Sequence, residues 1–233
     1  MGIKKKRYQF KKQFIKTIER KSFEKMIALT RKDYLSECLY IDPLKEGDRL
    51  FNESSDMSAP FFNRSKNNNE VVMPEAYINT ALWLLDLIKL SNNNNLVKDG
   101  YIYPALYCFR HYLELIMKDS IHYFKLNRGE ISSDELGYSD KEHGLFNLWN
   151  SLRNFLDDNN QVKRICKIIK KMDEIDKSST AFRYAFNHNN GRIVEYDYPA
   201  TMIDVSELKK RVLQLYNFFE GINHLSRIEI EIL

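Results

Sequence analysis

The fold of this chain is decided by the stretch YIYPALYCFRHYLELIMKDSIHYFKL, residues Tyr101–Leu126. Apolar side chains recur along it at three- and four-residue steps, the spacing of one face of an α-helix. This predicts a long central helix with a single buried stripe. The stripe consists of Leu106, Phe109, Leu113, Ile116, Met117 and Phe124.

Helical patterns also flank the central stretch on both sides. Pro74 is predicted to open an apolar helix over Ala76–Leu90, since proline is favoured in a first turn. Ser139–Glu142 and Asp204–Glu207 have the spacing of capping boxes that begin two further helices. The remaining predicted helices are His143–Leu156, Gln161–Ile175 and a last one through Leu208, Val212, Leu215, Phe218, Phe219 and Ile222. Only Gly191–Tyr198 could form one short β-ribbon, so residues 74–233 are predicted to be an all-α, up-and-down helical bundle.

The charge of the chain is uneven along its length. The chain has a net charge of +4, but residues 1–32 contain twelve Lys/Arg and two Glu. We therefore predict a basic helical arm at 1–40 and, after it, a polar loop or linker at 41–73. Such an arm could contact nucleic acid, an anionic membrane surface or an acidic partner, or it could simply be a solvated helix face. The candidate nucleic-acid contacts are Lys4, Lys5, Lys6, Arg7, Lys11 and Lys12 in the arm and Lys163, Arg164, Lys167 and Lys170 on the basic helix.

Composition excludes several classes of protein. With 43% hydrophobic residues the chain can bury a core, and its eight Gly and five Pro argue against an all-β sandwich. Three distant cysteines indicate neither a disulfide framework nor a zinc ribbon. No metal, nucleotide or dinucleotide motif is present, so no cofactor is expected. The start of the chain lacks a signal-peptide pattern, and the apolar window Ala76–Leu90 is shorter than a bilayer span. We therefore expect a cytoplasmic protein without membrane contact.

The first candidate site lies on the central helix. Arg110, Glu114 and Lys118 are spaced by four and should form an alternating ladder of charges, with His111 about 100° around the helix. The ladder is either a surface feature or a partly buried one, and in the second case Glu114 is the expected partner of Arg110. His143 is a further candidate. It is predicted to lie at a helix start, which would favour a neutral imidazole and a capping role.

The second candidate site is Arg183 with His188. An arginine and a histidine that converge on one phosphodiester could cleave RNA without a metal, because the histidine can move a proton and the arginine can hold negative charge. A turn is predicted over Asn187–Gly191, so His188 could instead be a solvated turn residue. Any one of three acidic residues that precede Arg183 could pair with it: Asp173, Glu174 or Asp176.

These segments, in this order, resemble the HEPN superfamily. The resemblance rests on Phe109–Leu115 with Lys118, on His143–Trp149 and on Ser179–Gly191, and it covers roughly residues 75–225. It implies an all-α bundle, usually dimeric, in which Arg183 and His188 from two protomers would be the catalytic pair of a metal-independent RNase. Tyr184 departs from that pattern, since it follows the arginine where the family usually has a small polar residue.

The resemblance leads to one main hypothesis and two alternatives. The main hypothesis is a metal-independent endoribonuclease of a toxin or antiphage-defence system, acting on RNA as a homodimer or higher oligomer and associated with an antitoxin or defence partner protein. Its candidate catalytic residues are Arg183, His188, Arg110 and His111, supported by Glu114, Tyr184, His143 and Asp176. The alternatives are a non-catalytic RNA-binding module and a structural subunit that dimerises or docks a partner.

Overall fold

The computed structural model describes residues 69–91, 94–176, 179–184, 186–189, 192–195 and 201–228, the side chains of 69, 70, 186–189 and 192–195 excepted. The chain divides into two compact units, residues 1–61 and 62–233, and the described residues all belong to the second. The predicted basic arm at 1–40, with Lys4–Arg7, Lys11 and Lys12, and most of the predicted linker therefore lie outside the described residues.

The described part of the chain is all-helical apart from one pair of short strands. In chain order its elements are α1 (Asn69–Leu90), α2 (Asn95–Asn127), α3 (Leu145–Arg153), α4 (Asn160–Ile175), β1 (Phe186–Asn189), β2 (Arg192–Glu195) and α5 (Val205–Ile228). The strands pair antiparallel, with His188 opposite Ile193. His188 therefore belongs to a strand rather than to the predicted turn at Asn187–Gly191, because its backbone takes part in the strand ladder.

The core is organised around α2, which packs against α1, α3 and α5. Five of the six residues of the predicted α2 stripe are buried, and Leu106 is half-buried. Tyr112 and Ile121 extend the stripe, and Trp149 of α3 packs edge-on against Phe219 of α5 at 6.0 Å between ring centroids. Aromatic contacts of this kind add about 0.5–1.5 kcal/mol beyond area burial. The helical periodicity of the sequence thus predicted the buried face of α2 correctly.

The prediction that Pro74 opens a helix was wrong, because Pro74 lies inside α1. α1 begins at Asn69 rather than at Pro74, and α2 begins at Asn95 and contains Pro104. Both prolines are interior to their helices, where each removes one backbone hydrogen bond and crowds the carbonyl four residues earlier. The start of α2 is instead capped by Asn94, whose side chain accepts a hydrogen bond from the Val97 N–H at 3.3 Å.

The two predicted capping boxes have different outcomes. Asp204 Oδ1 accepts hydrogen bonds from the N–H groups of Ser206 and Glu207 at 2.9 and 3.0 Å and so caps α5 as expected. Ser139 does not begin α3, which starts at Leu145 after Gly144. There Glu142 accepts a hydrogen bond from the Gly144 N–H at 2.7 Å, and Asp173 of α4 accepts one from the Phe146 N–H at 3.2 Å. A carboxylate from a neighbouring helix thus takes over the capping role.

α1 has the length and the composition of a membrane-crossing helix, with a mean hydropathy of 1.3 over Val71–Leu90. The expectation that its apolar window was too short for a bilayer span was wrong, because the helix begins before Ala76. Length and composition alone do not separate such a span from a core helix of a soluble protein. Four α1 residues that follow helical spacing lie in the buried core: Ile78, Ala81, Leu85 and Ile88.

Candidate functional site

Arg110 is the centre of a buried polar network. Its side chain is fully buried, and its Nη1 donates to Glu114 Oε2 at 2.9 Å. Its Nη2 donates to the His143 carbonyl at 2.5 Å, and its Nε lies 3.0 Å from Asp176 Oδ2. The Nε contact is electrostatic rather than a well-aligned hydrogen bond. A guanidinium suits this position because its planar fork reaches three partners in different directions.

Glu114 is the second node of the network. Its Oε1 accepts from Lys118 Nζ at 2.9 Å and lies 2.9 Å from His143 Nδ1. Burial alone would raise the pKa of the Glu114 carboxyl, but the hydrogen bonds from His143, Lys118 and Arg110 outweigh it and hold the pKa below its ordinary value of 4.5. Glu114 is therefore ionised at neutral pH, and its charge is balanced within the network.

The predicted ladder on α2 is thus confirmed in its pairing but not as a surface feature. Arg110, Glu114 and Lys118 are all buried. A surface ladder contributes little to stability, whereas a buried network is strongly destabilised when one partner is removed. His143 is the part of the network that reaches solvent, with 56% of its side chain exposed. It lies before the first residue of α3 and pairs with Glu114 instead of capping the helix.

Asp176 ends α4 and joins it to the network. Its Oδ1 accepts a hydrogen bond from the Ala181 N–H at 2.8 Å, while its Oδ2 faces Arg110. The following turn includes Ser179, which has a positive φ of 59°. The expected pairing of Arg183 with Asp176 was therefore wrong, because the buried carboxylate is already used by Arg110 and by the backbone of the turn.

The other two acidic residues expected to pair with Arg183 are also used elsewhere. Asp173 caps the start of α3, and Glu174 lies 3.5 Å from Lys171 on its own helix. Arg183 is exposed, and its Nε donates to the Ser179 carbonyl at 2.5 Å. Its guanidinium lies 5.8 Å from the ring centroid of Tyr107 and 5.5 Å from that of Tyr184. Arg183 is held by aromatic rings and a carbonyl, which leaves its charge available.

His111 contacts the Tyr107 ring, the ring that Arg183 also contacts. Its imidazole is half-buried, stacks parallel to Tyr107 at 5.8 Å and meets the edge of Tyr77 at 4.4 Å. Burial lowers the pKa of His111; Glu114 partly opposes this, and the positive charges of Arg110, Lys118 and Arg183 lower it further. At neutral pH the imidazole is therefore neutral and able to accept a proton.

The structure brings the candidate residues together in two groups. Arg110, Glu114, His143 and Asp176 share the buried network. His111 and Arg183 contact the Tyr107 ring of α2, and Tyr184 contacts Arg183. Arg110 and His111 are neighbours in sequence, yet they point into different groups because successive helical residues diverge by about 100°. The side chain of His188 lies outside the described residues.

Sequence reasoning missed the two tyrosines that position His111. Tyr107 is four residues before His111 on α2, so helical spacing could have identified it. Tyr77 comes from α1, and no pattern in the sequence indicates that its ring meets His111. The contact depends on how the two helices pack.

The basic face of α4 is exposed as its amphipathic pattern predicted. Lys163, Arg164, Lys167 and Lys170 are all accessible to solvent, and the buried side of the helix consists of Val162, Ile165 and Ile169. Lys163 lies 3.2 Å from Asp158, with both side chains about 60% exposed. This surface pair contributes little to stability, and the face stays available for an anionic partner.

Within the described residues no group of three or more His, Cys, Asp and Glu side chains could hold a metal ion. No family model, curated protein or solved structure matches this chain.

Proposed function

We propose that this chain is a metal-independent endoribonuclease built on a HEPN-like helical bundle with an appended β-ribbon. We propose further that it acts in the cytoplasm as a toxin or antiphage-defence effector, in a homodimer or higher oligomer. The observation that carries the proposal is the placement of His111 and Arg183 around the Tyr107 ring. A neutral imidazole and an exposed guanidinium, each about 5.8 Å from the centroid of the same ring, are the two groups that this chemistry needs.

Each group has one role in the proposed reaction. His111 accepts the proton of a ribose 2′-hydroxyl, so that the 2′-oxygen attacks the adjacent phosphorus. Arg183 stabilises the negative charge that develops on the phosphate oxygens. The bond to the 5′-oxygen breaks, that oxygen takes up a proton, and a 2′,3′-cyclic phosphate remains. His188 is the candidate for supplying the proton to the leaving oxygen.

The proposal is tested with three variants, His111→Ala, Arg183→Ala and His188→Ala, in an RNA-cleavage assay that contains EDTA. Losing one preorganised charge donor typically costs about 100-fold or more in rate, so Arg183→Ala should lose at least that much cleavage. Matched controls are the exposed residues His224 and Arg211, changed to alanine.

Thermal unfolding of every variant separates loss of chemistry from loss of fold. Arg183 is exposed and has no buried carboxylate partner among the contacts of its turn, so its variant should melt close to wild type. If His111→Ala and Arg183→Ala both fold and both cleave RNA at the wild-type rate, the proposed site is wrong.

The exposed basic face of α4 favours a second candidate function, a non-catalytic RNA-binding module. Phosphate contacts make affinity depend on salt, with a slope of roughly −0.7 per contact on single strands. Changing Lys167 and Lys170 to alanine should therefore flatten the plot of log K against log salt. A wild-type protein that binds RNA with this salt dependence but does not cleave it would favour the second function over the first.

A further inference from the structure

One exposed and two half-buried aromatic residues of α2 form a row that leads to the proposed site. Tyr103, Tyr107 and His111 follow each other at intervals of four residues, so they lie along one side of the helix with a rise of about 6 Å per step. The rings of Tyr107 and His111 are parallel, with 6° between their planes. Tyr103 lies one helical turn before Tyr107 on α2 and is 55% exposed.

Two residues of the turn after α4, Arg183 and Tyr184, lie beside this row. Arg183 lies over the Tyr107 ring, and Tyr184 beside it is 57% exposed. A single exposed tyrosine needs no explanation, since isolated apolar groups are common on protein surfaces. Here one cation lies over both Tyr107 and Tyr184, Tyr103 comes one turn before Tyr107 on α2, and the His111 imidazole comes one turn after it.

This combination fits one class of ligand. Proteins bind single-stranded nucleic acid by stacking unpaired bases on aromatic rings while arginine or lysine contacts the backbone phosphates. Bases in a duplex are stacked on each other, so their faces are not accessible to such rings. Asp99, four residues before Tyr103 in α2, carries the opposite charge and disfavours a phosphate at that end. A base bound over Tyr103 would therefore be held by stacking, and the phosphate next to it by Arg183.

We propose that Tyr103 and Tyr107, with Arg183 and Tyr184, form a stacking platform that selects single-stranded RNA. The inference rests on the proposed function, since it gives the substrate class of the same site. Tyr103 is a positioning residue that holds a base next to the scissile phosphate without touching the reacting atoms. Its loss should raise KM and leave kcat close to wild type.

The test uses the full chain and a fluorescent, single-stranded 2′-O-methyl oligoribonucleotide that cannot be cleaved through its 2′-oxygen. Stacking of one base should make Tyr103→Ala bind about 5- to 100-fold more weakly, whereas Tyr103→Phe keeps the ring and should bind like wild type. The matched control is Tyr101→Ala, because Tyr101 is also exposed but lies about 200° around the same helix. A duplex of the same sequence should bind equally to wild type and to Tyr103→Ala.

Failure of this inference is distinguishable from failure of the proposed function. If Tyr103→Ala binds the single strand as tightly as wild type, the platform is wrong even when the protein cleaves RNA. If Tyr103→Ala binds weakly but wild type cleaves no RNA, the platform stands and the ribonuclease proposal fails. Equal weakening by Tyr103→Ala and Tyr101→Ala would also overturn the platform, because it would show that no particular face of α2 is used.

Discussion

Replacing Arg110 by methionine should destabilise the protein through the charges that it leaves behind. The change removes the guanidinium contacts to Glu114, to Asp176 and to the His143 carbonyl. Glu114 keeps Lys118 and His143, whereas Asp176 keeps only its backbone hydrogen bond among the contacts described above. The buried network changes from two negative and two positive charges to an excess of one negative charge.

The expected cost is about 3–5 kcal/mol, which is typical when one partner of a buried ion pair is removed. For a unit of this size each kcal/mol lowers Tm by about 2–4 °C, so Arg110→Met should melt about 6–20 °C below wild type. Urea unfolding, followed by helical circular dichroism and by tryptophan fluorescence, measures the same loss at constant temperature.

Two further variants make the reasoning refutable. Arg211→Met removes an arginine that also pairs with a carboxylate four residues away, Glu207, but on the surface at 3.3 Å, and it should cost less than about 1 kcal/mol. Adding Asp176→Asn to Arg110→Met removes the excess negative charge and should recover about 0.5–3 kcal/mol relative to additivity. If Arg110→Met costs no more than Arg211→Met, the network does not stabilise the fold in the way argued here.

Three other predictions follow from single contacts. Glu114→Gln should reduce the loss of stability that acidic pH causes. Because the pKa of Glu114 is lowered in the folded state, the ionised carboxylate stabilises the fold above pH 4.5, its ordinary pKa, and this contribution is lost as the pH falls through the folded-state pKa. Urea unfolding between pH 7 and 3 measures the difference. Asp204→Ala should cost about 1 kcal/mol by removing the cap of α5, with Asp204→Asn close to wild type as the control; equal losses in both would contradict capping. NMR titration should give His111 a pKa below its ordinary value of 6.5, and this pKa should rise in Arg183→Ala because a nearby positive charge is removed. A pKa that this variant leaves unchanged would show that Arg183 is too far away to act on the imidazole.

Much of the helical framework was predictable from local pattern alone. The buried stripe of α2, the amphipathic face of α4 and the cap of α5 all depend on residues within a few turns of each other. Helix starts were less predictable, because Pro74 indicated a first turn at a position that lies inside a longer helix. The start of α3 could not be predicted at all, since the carboxylate that caps it, Asp173, comes from another helix.

The amino-acid sequence by itself determined the predominantly helical character of the described residues and the alternation of charge along Arg110, Glu114 and Lys118. It could not determine whether that ladder faces water or the core, because a four-residue spacing is the same in both environments. Only the tertiary structure decided this, by placing Asp176 and the His143 carbonyl against the guanidinium. The same packing brought Arg183 to the Tyr107 ring, since contacts between distant segments depend on how helices pack and not on the spacing within any one of them.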